Sequence, residues 1–294
     1  MRKLKIFLTP LIFLFLSSPG EARRAIPDNN LSYPVLVKIE NKPVASGFYI
    51  DTHKSLFFVT AKHVLFREKE RQRGEEKLEF IPRDSNVLLL SYPAEIEITT
   101  PKEIELDLDK LYGNGQMKFH PQQDVAVVKI GDFIDEPQVK AGKRVTFGEG
   151  IKVKNTPGDL LTVDITSIKK FEEVLEGNDV FIFGYPTSLG IQGIPQIDYE
   201  RPLLRKGIIA GKNVKQKTII LDCPVYYGNS GGPVVEVEGE GSQLRFRVIG
   251  LVLQFVPFIE EWFNLKYRIS NLQINNSGYS VVIPMDPVLD LLKE

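Results

Sequence analysis

The segment Gly228-Asn229-Ser230-Gly231-Gly232-Pro233 sets a serine among glycines. Glycines adopt backbone angles that other residues avoid, so such a turn can present its hydroxyl outward. It can also aim two backbone N–H groups, those of Gly228 and Ser230, at one point. That is the geometry that stabilises an oxyanion. The same composition also suits an ordinary surface turn. A serine hydroxyl is a weak nucleophile until a base takes its proton. The chain has three histidines, His53, His63 and His120. His53 falls in a polar turn and His120 precedes Pro121, whereas His63 closes the apolar stretch Val59-Thr60-Ala61-Lys62-His63. His63 is therefore the candidate base, although a histidine at a strand end also serves structure alone. A third group must orient the imidazole and stabilise its cation. Asp124 opens the apolar run Val125-Ala126-Val127-Val128, where a carboxylate is costly without a partner. Its other reading is a strand-start cap.

Together the three segments resemble those of the trypsin-like (chymotrypsin-fold) serine peptidases. Thr60-Ala61-Lys62-His63 is similar to that family's Thr-Ala-x-His, and Asp124-Val125-Ala126-Val127-Val128 to its aspartate followed by an apolar strand. Gly228 to Pro233 is similar to its nucleophile loop, and the order His, Asp, Ser is the family's. Three such segments in order are far more specific than any one. Within the family the chain resembles the bacterial HtrA-like peptidases, on Ser46-Gly47-Phe48, Gly184-Tyr185-Pro186, Lys206-Gly207-Ile208-Ile209 and the 278–284 strand with the helix after it. The resemblance spans roughly residues 31–292 and leaves the loops between these segments uncovered.

The resemblance implies catalytic residues His63, Asp124 and Ser230, an oxyanion hole from Gly228 and Ser230, and no cofactor or metal. It implies a substrate pocket drawn from Pro224, Tyr226, Leu253 and Phe255, which would be narrow and apolar, although Tyr226, Leu253 and Phe255 read equally as plain barrel core. Pro224 stands where trypsin has an acid, so a preference for Lys or Arg is not expected. Asn229 stands where digestive trypsins have aspartate. An uncharged amide cannot pair with a new N-terminus, so that activation switch is not expected either. The chain stops about ten residues after Pro284, which leaves no room for the PDZ domain common in HtrA-like proteins.

The elements that must position these residues read as short strands. Candidates are 35–39, 46–50, 55–60, 86–91, 94–99, 125–130, 152–154 and 161–168. In the second half they are 180–184, 206–210, 218–222, 234–237, 246–254 and 280–284. Residues 51–54 read as a hairpin turn. The stretches 67–77 and 171–178 read as exposed connections. The 257–277 insertion, with Trp262, Phe263 and Tyr267, reads as a loose apolar loop, a cover for the cleft or an oligomer contact. Asp286 reads as the N-cap of a C-terminal helix with Pro287 at its first position. The expected fold is all-β: two six-stranded antiparallel barrels and a short C-terminal helix. The expected division is a signal peptide over 1–22, a barrel with His63 and Asp124 over 23–150, and a barrel with Ser230 over 151–294.

Composition narrows the class. The chain has 294 residues, one cysteine, and 37 basic against 38 acidic side chains. A net charge of −1 gives no global pull toward nucleic acid or an anionic membrane. One cysteine forbids an internal disulfide and a thiolate metal site. The first residues, MRKLKIFLTPLIFLFLSSPGEA, have the charged, apolar and small-residue order of a secretory signal, with an apolar run short for a membrane span. The roughly 270 residues after it are ample for a core without cross-links. An exported chain that can form no disulfide fits a bacterial envelope better than an animal secretion. The reading is a serine endopeptidase acting on polypeptides in the periplasm or outside the cell, with no membrane span after signal cleavage. Its alternatives are a non-catalytic or a chaperone-like protein-binding module on the same scaffold.

Overall fold

The computed structural model describes residues 26, 32–69, 79–83, 86–93, 98, 100–134, 144–155, 158–187, 193–239 and 244–293. The proposed signal segment 1–22, nearly all of strand candidate 94–99 and most of the charged stretch 67–77 lie outside them. The first half runs β1 (Pro34–Ile39), β2 (Lys42–Asp51), β3 (Ser55–Thr60), helix α1 (Lys62–Leu65), β4 (Phe66–Glu68), β5 (Phe80–Pro82), β6 (Val87–Ser91) and β7 (Lys102–Leu106). It continues through helix α2 (Leu108–Gly113), β8 (Met117–Phe119), β9 (Ala126–Ile134), β10 (Arg144–Phe147) and β11 (Ile151–Asn155), then the short β12 (Val163–Asp164). The second half holds β13 (Asp179–Gly184), β14 (Leu203–Asn213), β15 (Thr218–Asp222), β16 (Pro233–Glu238), β17 (Arg245–Asn264), β18 (Ile269–Pro284) and helix α3 (Asp286–Leu291).

The second half closes into a six-stranded antiparallel barrel, β13-β14-β15-β18-β17-β16. The first half is a ten-stranded curled sheet whose main path is β10-β9-β3-β2-β1-β6-β7-β11. Since β11 pairs with β7, this sheet runs past residue 150 to Asn155. Where six strands were expected, the extra pairings come from short strands and from β12, which joins β2 in parallel.

The central strands are buried on both faces, and their alternation sorts side chains between two cores. Leu56 and Phe58 of β3, Tyr49 of β2 and Ala126, Val128 and Ile130 of β9 fill the core of the first half. Phe57 and Val59, Phe48 and Ile50, and Val125 and Val127 face the other way. They pack with Phe181, Phe183, Val235, Leu251, Ile283 and Met285 in a core between the two halves. This two-sided burial is why these strands read as unbroken apolar runs. The β2–β3 hairpin forms as expected. Its turn puts His53 at φ 70°, and the Asp51 carboxylate accepts the His53 amide at 2.6 Å.

Several local expectations change. Residues 161–168 form a strand only at Val163–Asp164, because the Asp164 carboxylate accepts the Thr166 amide at 2.8 Å and turns the chain into a 3₁₀ helix, Ile165–Ser167. The acidic stretch 171–178 is not simply exposed, since Phe171 and Val174 are fully buried in the second barrel's core. Met285, not Asp286, occupies the N-cap of α3. The Asp286 carboxylate instead accepts the Phe171 amide at 2.8 Å, tying the helix to that stretch. Residues 257–277 are not a loose loop: β17 and β18 run through them as one continuous hairpin, paired out to Asn264 opposite Ile269.

Candidate active site

Antiparallel pairing brings the first two site residues together. Thr60 at the end of β3 lies opposite Ala126 at the start of β9. His63, just past β3, and Asp124, just before β9, therefore emerge at the same rim. The Asp124 carboxylate makes two bonds there. One oxygen accepts the His63 backbone amide at 2.8 Å, and the other meets His63 Nδ1 at 2.6 Å. The first bond supplies an acceptor to the opening turn of α1, which has no side-chain cap of its own. The second fixes the imidazole. An ionised carboxylate can only accept, so Nδ1 carries the hydrogen and Nε2 is left as an acceptor. Asp124 thus joins both readings open in the sequence, cap and imidazole partner.

Burial pushes the Asp124 carboxyl up, but the His63 hydrogen bonds and charge, helped by Lys62, outweigh it and hold the group below its ordinary value. Lys62 is buried between rings, its ammonium 4.4 Å from the Phe80 centroid and donating to His120 O at 3.1 Å. Burial depresses the Lys62 ammonium, against the pull of Asp124.

The serine turn joins β15 to β16. Asn229 donates its amide to Tyr226 O at 3.0 Å, and Gly228 sits at φ +93°, as the third position of a type II turn requires. The Asn229 side chain, itself buried, accepts the Tyr226 amide at 3.0 Å. An uncharged amide therefore closes the turn from within. The turn is locked onto the first half: Ser46 N donates to Ser230 O at 2.9 Å, and Ser46 Oγ donates to Gly228 O at 2.7 Å while accepting Tyr185 N at 3.0 Å. Thr60 Oγ1 holds Ser46 O at 2.7 Å. Among the described residues, neither Gly228 N nor Ser230 N donates to a protein group.

Gly231 carries the closest approach. At φ +81°, a side chain there would meet Ser46 O at 2.3 Å, Thr60 Oγ1 at 2.4 Å and Ala61 N at 2.9 Å. So Ser230 lies beside the segment that leads to His63. Gly231→Ala is expected to cost about 3 kcal/mol, since backbone atoms must move and the left-handed angle is strained as well. Urea denaturation checks this, and a loss under 1 kcal/mol would mean the halves meet more loosely than described.

The Ser230 hydroxyl donates to Leu253 O at 3.1 Å, not to His63. Rotation about one staggered bond redirects a serine hydroxyl, and such catalytic bonds commonly tighten only around substrate. The sequence marks Leu253 as a pocket residue but gives neither its carbonyl nor Ser46 a part in holding the serine turn. A main-chain carbonyl leaves no residue-type signal, whereas Ser46-Gly47-Phe48 was noted without a role.

The expected pocket residues divide. Leu253 flanks Ser230 through its carbonyl and is half-buried, and Pro224 is also half-buried. Phe255 packs on the second barrel's core and stands edge-on to Tyr227 at 5.8 Å. Tyr226 is turned outward, with the Arg205 guanidinium 4.5 Å over its ring. His63 also lines a groove of about 320 Å³ with Ile39, Glu40, Lys42, Val44, Val64 and Arg83. Arg83 donates there to His63 O at 2.8 Å. Cys223 is buried in the second barrel's core, where desolvation pushes its thiol up to about 11. Among the described residues no group of three or more His, Cys, Asp or Glu is placed to hold a metal ion. No helix among them is long and apolar enough to cross a membrane.

A curled sheet bearing a bonded histidine–aspartate pair and a closed barrel bearing the serine turn meet through Ser46, Thr60 and Gly231. The chain belongs to the trypsin-like peptidase domain family, whose model matches residues 45–242. It is a serine peptidase by family. Among solved structures it is similar to that of HBP, at 11% identity and TM-score 0.50, covering 91% of this chain and 92% of that one. It is also similar to the protease Anisep from Arthrobacter nicotinovorans, at 12% identity and TM-score 0.45, covering 86% and 90%. A third is the HtrA-type protease AlgW with tripeptide, at 14% identity and TM-score 0.40, covering 88% of this chain and 58% of that one. No curated protein matches the chain.

Proposed function

We propose that the chain is a serine endopeptidase that cuts polypeptides outside the cytoplasm. The supporting observation is the 2.6 Å bond from His63 Nδ1 to Asp124, beside a serine turn clasped by Ser46 and Thr60. In this reading Ser230 Oγ attacks the scissile carbonyl while His63 Nε2 takes its proton. His63 then returns that proton to the leaving amine, and water repeats the cycle on the acyl-enzyme. Asp124 holds the tautomer and stabilises the imidazolium. The amides of Gly228 and Ser230 receive the oxyanion. The cleft lies between the first-half sheet, which bears His63 and Asp124 and takes in β11 and β12, and the second-half barrel, which bears Ser230. Leu253 and Phe255, with Pro224, wall a pocket for a small apolar side chain, while Tyr226 stands at its outer edge. Residues 1–22 are the export signal, and the chain groups with HtrA-like peptidases.

A second reading, a protein-binding module without catalysis, draws on one observation, the Ser230 hydroxyl resting on Leu253 O. Incubation with unfolded casein separates the two. The peptidase reading expects cleavage after small aliphatic residues, and intact casein would favour the binding module.

A further inference from the structure

The barrel accounts for only part of β17 and β18. β17 pairs with β16 from Arg245 to Leu251, and β18 pairs with β15 from Tyr279 to Val282. From Pro257–Asn276 to Asn264–Ile269 the two strands pair only with each other. They form an arm roughly 25 Å long at the strand rise per residue. A two-stranded ribbon alone is marginal in water, and this one exposes apolar side chains on both faces. Ile259 pairs with Ile274 and Phe263 with Ser270 on one face, while Phe258, Trp262 and Ile269 occupy the other. Phe263 is 64% exposed, and Leu265 at the turn is 90% exposed.

We propose that the arm is a dimerisation element whose partner is the arm of a second copy of this chain. The first argument is area. Phe258, Ile259, Trp262, Phe263, Leu265, Tyr267, Ile269, Leu272 and Ile274 are all at least half exposed. At the size of such side chains they carry on the order of 1,000 Å² over both faces and the tip; a partner arm covers one face and the tip, about half of that, the size of a weak and reversible contact.

The second argument is charge. Glu260 and Glu261 stand midway along the arm's first strand, and Lys266 and Arg268 stand at the tip. None of the four makes an ion pair among the described residues. When two arms overlap tip to tip in antiparallel fashion about a twofold axis, the tip cations of each meet the mid-arm carboxylate on the facing side of the other, Glu260 or Glu261, since neighbours on a strand point to opposite faces. The two barrels then lie at opposite ends, and the most exposed apolar residues fall inside the overlap. A twofold contact of this kind is self-complementary.

A lipid surface is the poorer occupant. The ribbon's outer edges carry unpaired backbone groups that hydrocarbon cannot satisfy, and the two glutamates sit halfway along it. The inference concerns the arm alone and does not depend on the peptidase reading.

Sedimentation velocity of the full chain over a hundredfold concentration range tests it. A monomer–dimer equilibrium is expected. Lys266→Glu with Arg268→Glu is expected to weaken it at least tenfold by like-charge repulsion, and adding Glu260→Lys with Glu261→Lys is expected to restore it. Trp262→Ser with Leu265→Ser is expected to leave monomer at every concentration, with an unchanged melting temperature showing that the barrels stay folded. Monomeric wild type throughout overturns the proposal. So does a dimer indifferent to the charge reversal, or flotation of the monomer with anionic phosphatidylserine vesicles.

Discussion

Ser230→Ala is expected to lower kcat on a casein-derived peptide by about 10⁶, leaving KM within a few-fold. The expectation follows from the division of labour in the site. The hydroxyl is the only group that forms a bond to the substrate in the proposed mechanism. Positioning by the cleft and charge stabilisation by the Gly228 and Ser230 amides survive its removal. The substitution deletes one oxygen that donates to Leu253 O at 3.1 Å. The turn itself is held by backbone bonds from Ser46 and by the buried Asn229 side chain, neither of which needs the hydroxyl. Melting temperature should therefore stay within a degree or two. A loss of activity accompanied by a large drop in stability would mean that the residue serves the fold first.

Asp124→Asn carries the second large effect, a fall of about 10⁴ in kcat. An amide in place of the carboxylate can donate as well as accept. It can therefore bind the other imidazole tautomer, in which Nε2 carries the hydrogen and cannot take the serine proton. The variant also loses the charge that stabilises the imidazolium. Combining it with Ser230→Ala should cost little more than Ser230→Ala alone, because the groups act as a unit. The pH dependence of stability gives an independent readout. Asp124 is held below its ordinary value in the folded chain. Its contribution to stability is therefore fully present above the unfolded-state value near 4. It is lost as pH falls through the lower folded-state value. The wild-type advantage over Asp124→Asn in melting temperature should shrink across that acidic window and be flat at neutral pH.

The chemistry of this chain was more legible in its sequence than its surface. The candidates His63, Asp124 and Ser230 stood out together through the resemblance of their three segments, since each alone also had a structural reading, and only Asp124 was marked by its own setting, a carboxylate opening an apolar strand. Such a residue is costly there unless it has a partner. The central strands announced themselves by length and apolarity because both of their faces are buried. Where structure depends on a single side-chain bond, the sequence was silent. Asp164 ends a strand by capping a 3₁₀ turn, and Asp286 abandons its helix to bind the Phe171 amide. The acidic character of 171–178 hid Phe171 and Val174, which one tight turn buries together. The arm was unreadable for another reason. A ribbon solvated on both faces has no inside, so its residues lack the apolar–polar alternation that marks a half-buried strand.

The tight contact at Gly231 has a consequence for function. It holds the serine turn against the Thr60–Ala61 segment that leads into His63, which fixes where Ser230 sits relative to that residue. The His63–Asp124 pair, by contrast, emerges at one rim, just past β3 and just before β9, which pair with each other.

The central claim is that Ser230 is a nucleophile activated by the His63–Asp124 pair. Intact-mass spectrometry after exposure to a fluorophosphonate tests it most directly. The account predicts one adduct per chain, mapped by peptide fragmentation to Ser230. Labelling should be absent in Ser230→Ala and slowed by orders of magnitude in Asp124→Asn. Folded wild-type protein that takes up no label, or that takes it up on another residue, would contradict it.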